Sequence, residues 1–219
     1  MKLTVLIPVY NEESSVAELI DHVRAVPIDK EVIVVDDNSS DNTLEVVRSI
    51  PGLRVFTHQT NRGKGAGIRT GLAHSSGDVV VIQDADLEYD PAEYPRLLAP
   101  FADPRVDAVY GSRFRGNGSF LLHSRIANYF LTFMTNAAFG GRLTDMETCY
   151  KAIRRPLFQD LDLTANRFEI EPEITTKLLR RRARIVEVPI SYRARTEGKK
   201  IGPRDGLMAC WCLAKWYVR

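Results

Sequence analysis

The chain has 219 residues, 44% of them hydrophobic and 26% charged, which is enough for a sizeable core and excludes a disordered or low-complexity protein. Its net charge of +2 gives no argument for nucleic-acid binding, and no stretch approaches the roughly 20 apolar residues of a membrane-spanning helix. Three cysteines, Cys149, Cys210 and Cys212, form no C-x-x-C pair and cannot all be bridged internally, which fits a reducing compartment; four scattered histidines argue against a zinc site.

Met1-Lys2-Leu3-Thr4 enters a strand pattern directly and has no signal-peptide shape, so the expectation is a protein that is soluble or attached to a membrane from one side. Leu3 to Ile7 reads as a strand stopped by Pro8. Glu13 to Val26 carries Val16, Leu19, Ile20 and Val23 at helical spacing. Glu31 to Val35 is a second strand, Thr43 to Ile50 a helix, Leu53 to His58 a third strand and Gly65 to His74 a short helix. Asp78 to Gln83 is a fourth strand. Asp90-Pro91 reads as an N-cap with proline at the first helical position, opening a helix that uses Tyr94, Leu97, Leu98 and Phe101. Val106 to Tyr110 follows as a strand. Strands alternating with helices predict right-handed βαβ units and a mostly parallel sheet. Past residue 112 the pattern changes: Arg125 to Phe139 and Glu171 to Arg182 read as helices, and Ile185 to Tyr192, interrupted by Pro189, as an edge strand. With no linker and no repeat, the expectation is a single domain over 1–219, with a nucleotide-binding half at 1–112 and an elaboration at 113–219 sharing its core.

Each early strand ends in polar residues, as the ligand crevice of an open α/β sheet requires. After the fourth strand come Asp84 and Asp86, two residues apart and so on one side. Such a pair is costly unless a cation neutralises it, and oxygen ligands suit Mg²⁺ or Mn²⁺, which in turn can grip a diphosphate leaving group. Alone, an Asp-x-Asp is as well explained by a solvated acidic turn. After the first strand, Tyr10 could pack on a base and Glu12 accept hydrogen bonds, while helix capping by Asn11 is the plainer explanation. After the second, Asp36-Asp37-Asn38-Ser39-Ser40-Asp41 offers acceptors for ribose or base, with capping by Ser40 or Asp41 as the alternative. After the third, Asn61-Arg62-Gly63-Lys64-Gly65-Ala66-Gly67 permits close backbone approach before a helix N-terminus that attracts anions. The stretch lacks the Walker pattern, and the first strand does not lead into G-x-G-x-x-G.

These four loops, in this order and spacing, resemble those of family 2 glycosyltransferases with the α/β GT-A fold: a mostly parallel central sheet flanked by helices. Gly111-Ser112-Arg113, Ser124 to Asn128, Glu187 to Tyr192 and the basic Arg195 to Lys200 segment are similar to the dolichol-phosphate mannose synthase group. The resemblance implies inverting transfer of a sugar from a nucleotide diphosphate, GDP-mannose first and a UDP-sugar second, to a polyprenyl phosphate. It implies that Asp84 and Asp86 hold the metal and the donor diphosphate, with Glu88 as a further ligand where relatives often carry Gln. Pro8, Tyr10, Glu12 and Asp37 would hold the nucleoside, with Lys64 and Arg195 also at the donor. Arg113 and Arg125 would grip the acceptor phosphate, and Asp86, Arg113 and Arg125 would carry the transfer. Two segments depart from the group: Gly198 to Gly202 is one residue shorter than the usual motif, and Thr144 to Lys151 replaces a segment that more often ends Phe-Arg-Leu-Tyr.

A phosphate monoester is largely an anionic nucleophile at neutral pH, its second pKa being about 6, so such a site needs no essential general base. Asp145 and Glu147 are the spare carboxylates. For Glu147 the expectation is loop capping or a salt bridge; for Asp145 that competes evenly with a sugar contact, or with a base if the acceptor were a saccharide hydroxyl. A third possibility for the chain is a nucleotide-sugar-binding regulator without turnover. The acceptor's tail needs an apolar path: Leu121, Leu122, Ile126, Phe130, Phe133 and Met134 read first as core, whereas Leu207 to Val218, with Trp211, Trp216 and Tyr217 beside Lys215 and Arg219, reads as an interfacial helix. Peripheral contact with the cytoplasmic membrane face, and no nucleic-acid partner, are the expectations that follow.

Overall fold

A computed structural model describes residues 1–116, 118–119, 122–194 and 203–218. The first half folds as its spacing dictates: β1 (Leu3–Val9), α1 (Val16–Ala25), β2 (Lys30–Asp36), α2 (Thr43–Ser49), β3 (Arg54–Thr57), α3 (Lys64–Ala73) and β4 (Val79–Ile82). The Asp90 carboxylate accepts from Ala92 N–H at 2.9 Å, as expected of a cap, although Pro91–Glu93 is a 3₁₀ turn before α4 (Tyr94–Leu98). Then come β5 (Ala108–Ser112), β6 (Gly118–Ser119), α5 (Leu122–Phe139), β7 (Lys151–Arg154), α6 (Arg155–Asp160), α7 (Ile170–Arg180), β8 (Ile185–Pro189), β9 (Tyr192–Arg193) and α8 (Pro203–Val218).

Seven strands form the main sheet in the order β3-β2-β1-β4-β7-β5-β8, and β6 pairs with β9 beside it. All seven run parallel except β7, which is antiparallel to both β4 and β5. The sequence reading missed β7 and α6: Lys151-Ala152-Ile153-Arg154 is four residues long, with a lysine and an arginine at its ends. The second half therefore inserts a strand into the sheet of the first. β8 lies at the sheet edge, as Pro189 predicts, with β3 at the other.

Pro8 does not stop β1. The β1–β2 ladder continues to Val9↔Asp36, but the β1–β4 ladder ends at Leu6↔Ile82. Proline lacks a backbone N–H, so β4 leaves β1 here. The chain runs β1, β2, β3 in one direction and returns to β4 on the other side of β1, so this parting is the topological switch point at which open sheets bind ligands. Right-handed crossovers put α1 and α2 on one face and α3 on the other; in keeping with this, α1 packs on α2, and α3 lies on β1 and β2. The core between the layers includes Leu6, Ile7, Ile33, Val80, Ile82, Tyr110 and Ile153, all fully buried.

A second, smaller apolar cluster joins α5 to α8 through Leu131, Met146, Ala209 and Leu213, with Phe139 against it. The outer faces of these helices are bare. Ile126 is 61% exposed, Phe133 67% and Trp211 57%, and Phe130 and Met134 are exposed as well. The core placement expected for Ile126, Phe130, Phe133 and Met134 is thus corrected: α5 turns Leu131 and Thr135 inward and leaves its apolar majority outside. Leu121 lies outside the described residues, and the side chain of Leu122 does too. No helix among the described residues is long and apolar enough to cross a membrane.

Candidate active site

The first two loops brace each other. Asn11, at φ 50°, does not cap α1; its Oδ1 accepts from Ser40 N–H at 2.8 Å, and its own N–H donates to Ser39 Oγ at 3.0 Å. Glu13 and Asp41 exchange similar bonds, Asn42 N–H donating to Glu13 and Glu13 N–H to Asp41. Glu12 is 8% exposed; its N–H donates to Thr43 Oγ1, and its carboxylate accepts from Ser15 Oγ at 3.0 Å. Tyr10 is 36% exposed just past the end of β1, where Pro8 pairs with Val35 of β2. Asp37 is 3% exposed and accepts from Arg62 N–H (2.8 Å), Gly63 N–H (2.6 Å) and His58 Nδ1 (2.7 Å). It ties the second loop to the third.

The glycines of the third loop serve a close approach within the protein. At Gly63, φ is +92°, and a Cβ would meet Asn166 O at 2.4 Å; at Gly65 one would meet Ala165 O at 2.6 Å. Ala66 N–H donates to Asn166 O, so one amide of the helix start is already taken. Glu173 on α7 secures the opposing loop by accepting from Thr164 and Ala165 N–H.

Lys64, first residue of α3, reaches back to the end of β4. Its Nζ is 2.7 Å from Asp84 Oδ1 and 3.0 Å from Glu171 Oε1, and Lys151 Nζ is 2.5 Å from Glu171 Oε2. Burial alone would discharge Lys64, but Asp84 and Glu171 outweigh it and hold its pKa well above the ordinary value. Below Asp84, buried Gln83 accepts from Tyr94 and Tyr150 hydroxyls, both at 2.7 Å, and donates to the Asp84 carbonyl at 2.9 Å. Leu87 at φ 59° is a left-handed, strained non-glycine residue that bends the chain just past Asp86. Glu88 N–H donates to Asp86 Oδ1, while the Glu88 carboxylate accepts from Tyr192 Oη at 2.7 Å. Glu88, expected as a third metal ligand, thus has one carboxylate oxygen on Tyr192. Among the described residues no three His, Cys, Asp or Glu side chains gather as a metal-binding group.

On the far side of the crevice Arg113 forms a fork on Asp145, with Nε–Oδ2 and Nη2–Oδ1 both 2.7 Å; the Arg113 backbone N–H adds a 3.0 Å bond. Asp145 is fully buried and Arg113 nearly so. Asp145 thus orients a guanidinium with both of its oxygens. The Arg113 guanidinium lies 5.1 Å from the Tyr192 ring and 6.0 Å from Phe114. Phe114 stacks on Tyr129 at 4.4 Å, and exposed Arg125 lies 5.6 Å from the Tyr129 ring. An aromatic pair therefore connects the two arginines read as acceptor ligands. Arg195 lies outside the described residues, as does the shortened Gly198 to Gly202 motif.

Among the described residues Glu147 makes neither the salt bridge nor the cap expected of it. Its Oε1 is buried without a hydrogen-bond partner among the described residues, and burial pushes its pKa up to about 7, with Lys151 opposing and Glu171 reinforcing the rise. Sequence reasoning also missed Lys151, Glu171, His58 and Tyr192 as parts of the site. Glu171 falls within an otherwise amphipathic helix, and the only signal was a carboxylate at a position that turns out 4% exposed. All three cysteines are free.

Comparison with known proteins agrees with this architecture. An undecaprenyl-phosphate 4-deoxy-4-formamido-L-arabinose transferase of Salmonella paratyphi A is 31% identical over 206 residues, covering 90% of this chain and 61% of that protein. A dolichol-phosphate mannosyltransferase of Pyrococcus furiosus is 28% identical over 236 residues, covering 99% of this chain and 64% of that protein. The chain thus spans less than two thirds of the length of these curated relatives. The crystal structure of glucosyl-3-phosphoglycerate synthase from Mycobacterium tuberculosis with UDP has a TM-score of 0.76 at 22% identity, covering 99% of this chain and 80% of that one. Another crystal structure of that enzyme, holding Mn²⁺, UDP and glucosyl-3-phosphoglycerate, matches equally well at 21% identity. The likeness establishes a GT-A fold, with its mostly parallel sheet flanked by helices. The model of glycosyl transferase family 2 matches residues 4–162, from β1 through α6, and the chain belongs to that family.

Proposed function

We propose that the chain is a metal-dependent, inverting glycosyltransferase that moves a sugar from a nucleoside diphosphate to a polyprenyl phosphate. The observation that carries this is the position of Asp84 and Asp86, just past β4 at the switch point, with the charged Lys64 on Asp84. Two carboxylates at an open sheet edge offer hard oxygen donors that fit Mg²⁺ or Mn²⁺, whose remaining ligands would come from the donor's phosphates and water. Such an ion supplies charge stabilisation to the departing diphosphate. Lys64 adds a second cation there. The base and ribose would lie over the rim made by Pro8, Tyr10 and Glu12, with Asp37 bracing the third loop from beneath. Arg113, oriented by Asp145, and Arg125 across the aromatic pair would bind and aim an acceptor phosphate that is already anionic. Holding it in near-attack geometry is worth about 7–11 kcal/mol, and no base is needed.

GDP-mannose is the first donor to try, given the mannosyltransferase relative. A UDP-sugar is the second, because the solved structures of similar fold hold UDP. The exposed apolar face of α5 and α8, with Arg125 and Lys215 at it, suits peripheral attachment to the cytoplasmic membrane surface, where a polyprenyl tail would lie. The test is a panel of nucleotide sugars with radiolabelled polyprenyl phosphate and either ion. One donor should label the lipid, chelation should stop it, and the ion should restore it. Full turnover after exhaustive chelation would refute the metal's role, and a chain that binds nucleotide sugars without turnover would instead be the regulator.

A further inference from the structure

Glu147 sits in the loop between α5 and β7, two residues past Asp145. The Glu147 Oε1 atom is buried with no hydrogen-bond partner among the described residues, a costly arrangement that a hydroxyl brought in by a ligand would relieve. The residue is only partly buried as a whole, so a bound molecule could reach it. Glu147 lies in the chain between residues of the two ends of the crevice, two residues after Asp145 and four before Lys151. Lys151 and Glu171 continue the row that ends in Lys64 and Asp84, whereas Arg113 and Asp145 form the opposite end. If the donor diphosphate occupies the first end and the acceptor phosphate the second, the group between them is the sugar in transit, since its reacting carbon must lie within about 3–3.5 Å of the nucleophile.

The chemistry of the position also selects a sugar. Either phosphate would meet a carboxylate as a like charge, whereas a hydroxyl can donate to it or accept from its protonated form. We propose that Glu147 hydrogen-bonds a hydroxyl of the transferred sugar and so determines which donor the enzyme accepts; this rests on the assignment of the two phosphates above.

The test compares the parent chain with Glu147→Ala and Glu147→Gln. Calorimetry measures GDP-mannose and UDP-glucose against GDP and UDP, and kinetics measures kcat/KM for the donor that turns over and for its monodeoxy analogues. Glu147→Ala should weaken the nucleotide sugar roughly 10- to 100-fold, the range for a hydrogen bond to a charged group, and leave the nucleoside diphosphate within about twofold. One deoxy analogue that the parent rejects by a similar factor should be used equally well by parent and variant. Glu147→Gln keeps shape and hydrogen bonding without a buried charge; it should retain part of the discrimination, and it carries the test if the alanine variant does not fold. Unchanged donor selectivity in the variants, or nucleoside diphosphate affinity falling in step with the donor, would overturn the proposal. A parent that binds nucleotide sugars but labels no polyprenyl phosphate would refute the proposed acceptor, while the binding comparison would still decide the role of Glu147.

Discussion

Asp145→Ala should unfold the acceptor end of the site, not merely silence a base. Asp145 is fully buried, and it holds Arg113 through two 2.7 Å fork bonds and one backbone bond. Deleting the carboxylate leaves a buried guanidinium with its charge uncompensated, a change that costs about 3–5 kcal/mol. For a chain of this length each kcal/mol lowers Tm by about 2–4 °C, so the fall should be about 6–20 °C. Replacing both residues by leucine removes the stranded charge, and the double variant should recover most of the loss, because apolar replacement of a buried pair is often neutral or better. The assay is a double-variant cycle in urea or by heat, read as an interaction energy, with donor affinity measured in parallel. Two outcomes would refute the reasoning. One is strict additivity of the Arg113 and Asp145 variants. The other is an Asp145→Ala protein with unchanged Tm and donor affinity but no transfer, which would restore Asp145 as a base.

Asp86→Ala should nearly abolish transfer to polyprenyl phosphate without changing Tm by more than a few degrees; activity equal to the parent's would remove the metal role. Glu147 offers a pH test. Its pKa rises from the ordinary 4.5 to about 7 on folding, so the proton is held more tightly in the folded state, and stability is full below about pH 4.5 and declines until about pH 7. That rise corresponds to about 3 kcal/mol, reduced to about 1–2 kcal/mol by the partial exposure of the residue. Urea unfolding should therefore show Glu147→Gln gaining that much on the parent at pH 8 relative to pH 4, and parallel pH profiles would contradict it. Replacing Ile126 and Phe133 by serine should weaken sedimentation with anionic vesicles severalfold and leave nucleotide affinity alone; unaltered vesicle binding would place the membrane contact elsewhere.

Most of the first half was legible because its signals are local. A run such as Val79-Val80-Val81-Ile82 can be little else than a buried strand, and loops that follow successive parallel strands must meet at one edge. What escaped was set by tertiary context. Pro8 reads as a stop because proline removes a ladder bond, yet only the β4 side lost its pairing. β7 was invisible because four residues flanked by lysine and arginine carry no periodicity. α5 looked like core because its composition is apolar, whereas composition cannot say which neighbour, if any, covers a face. The two loop carboxylates were unresolved for the same reason: local sequence does not say that the fold brings Arg113 onto Asp145 and leaves an oxygen of Glu147 without a hydrogen-bond partner among the described residues.

The crevice is organised by pairing of charge across chain halves. Lys64 and Asp84 come from the first 112 residues, Lys151 and Glu171 from the rest, and they form one alternating row. Arg113 opens the second half, and its partner Asp145 lies 32 residues further on. Each charge in these two assemblies has a counter-charge within 3.0 Å, and Lys64 is held in its charged form. A diphosphate with its cation can then enter an already balanced field without forcing a protonation change on Lys64. Glu147 stands apart, one of its oxygens being buried without a hydrogen-bond partner among the described residues. The proposed sugar contact would answer that oxygen with a hydroxyl, which a carboxylate can accept from and a phosphate at either end could not supply.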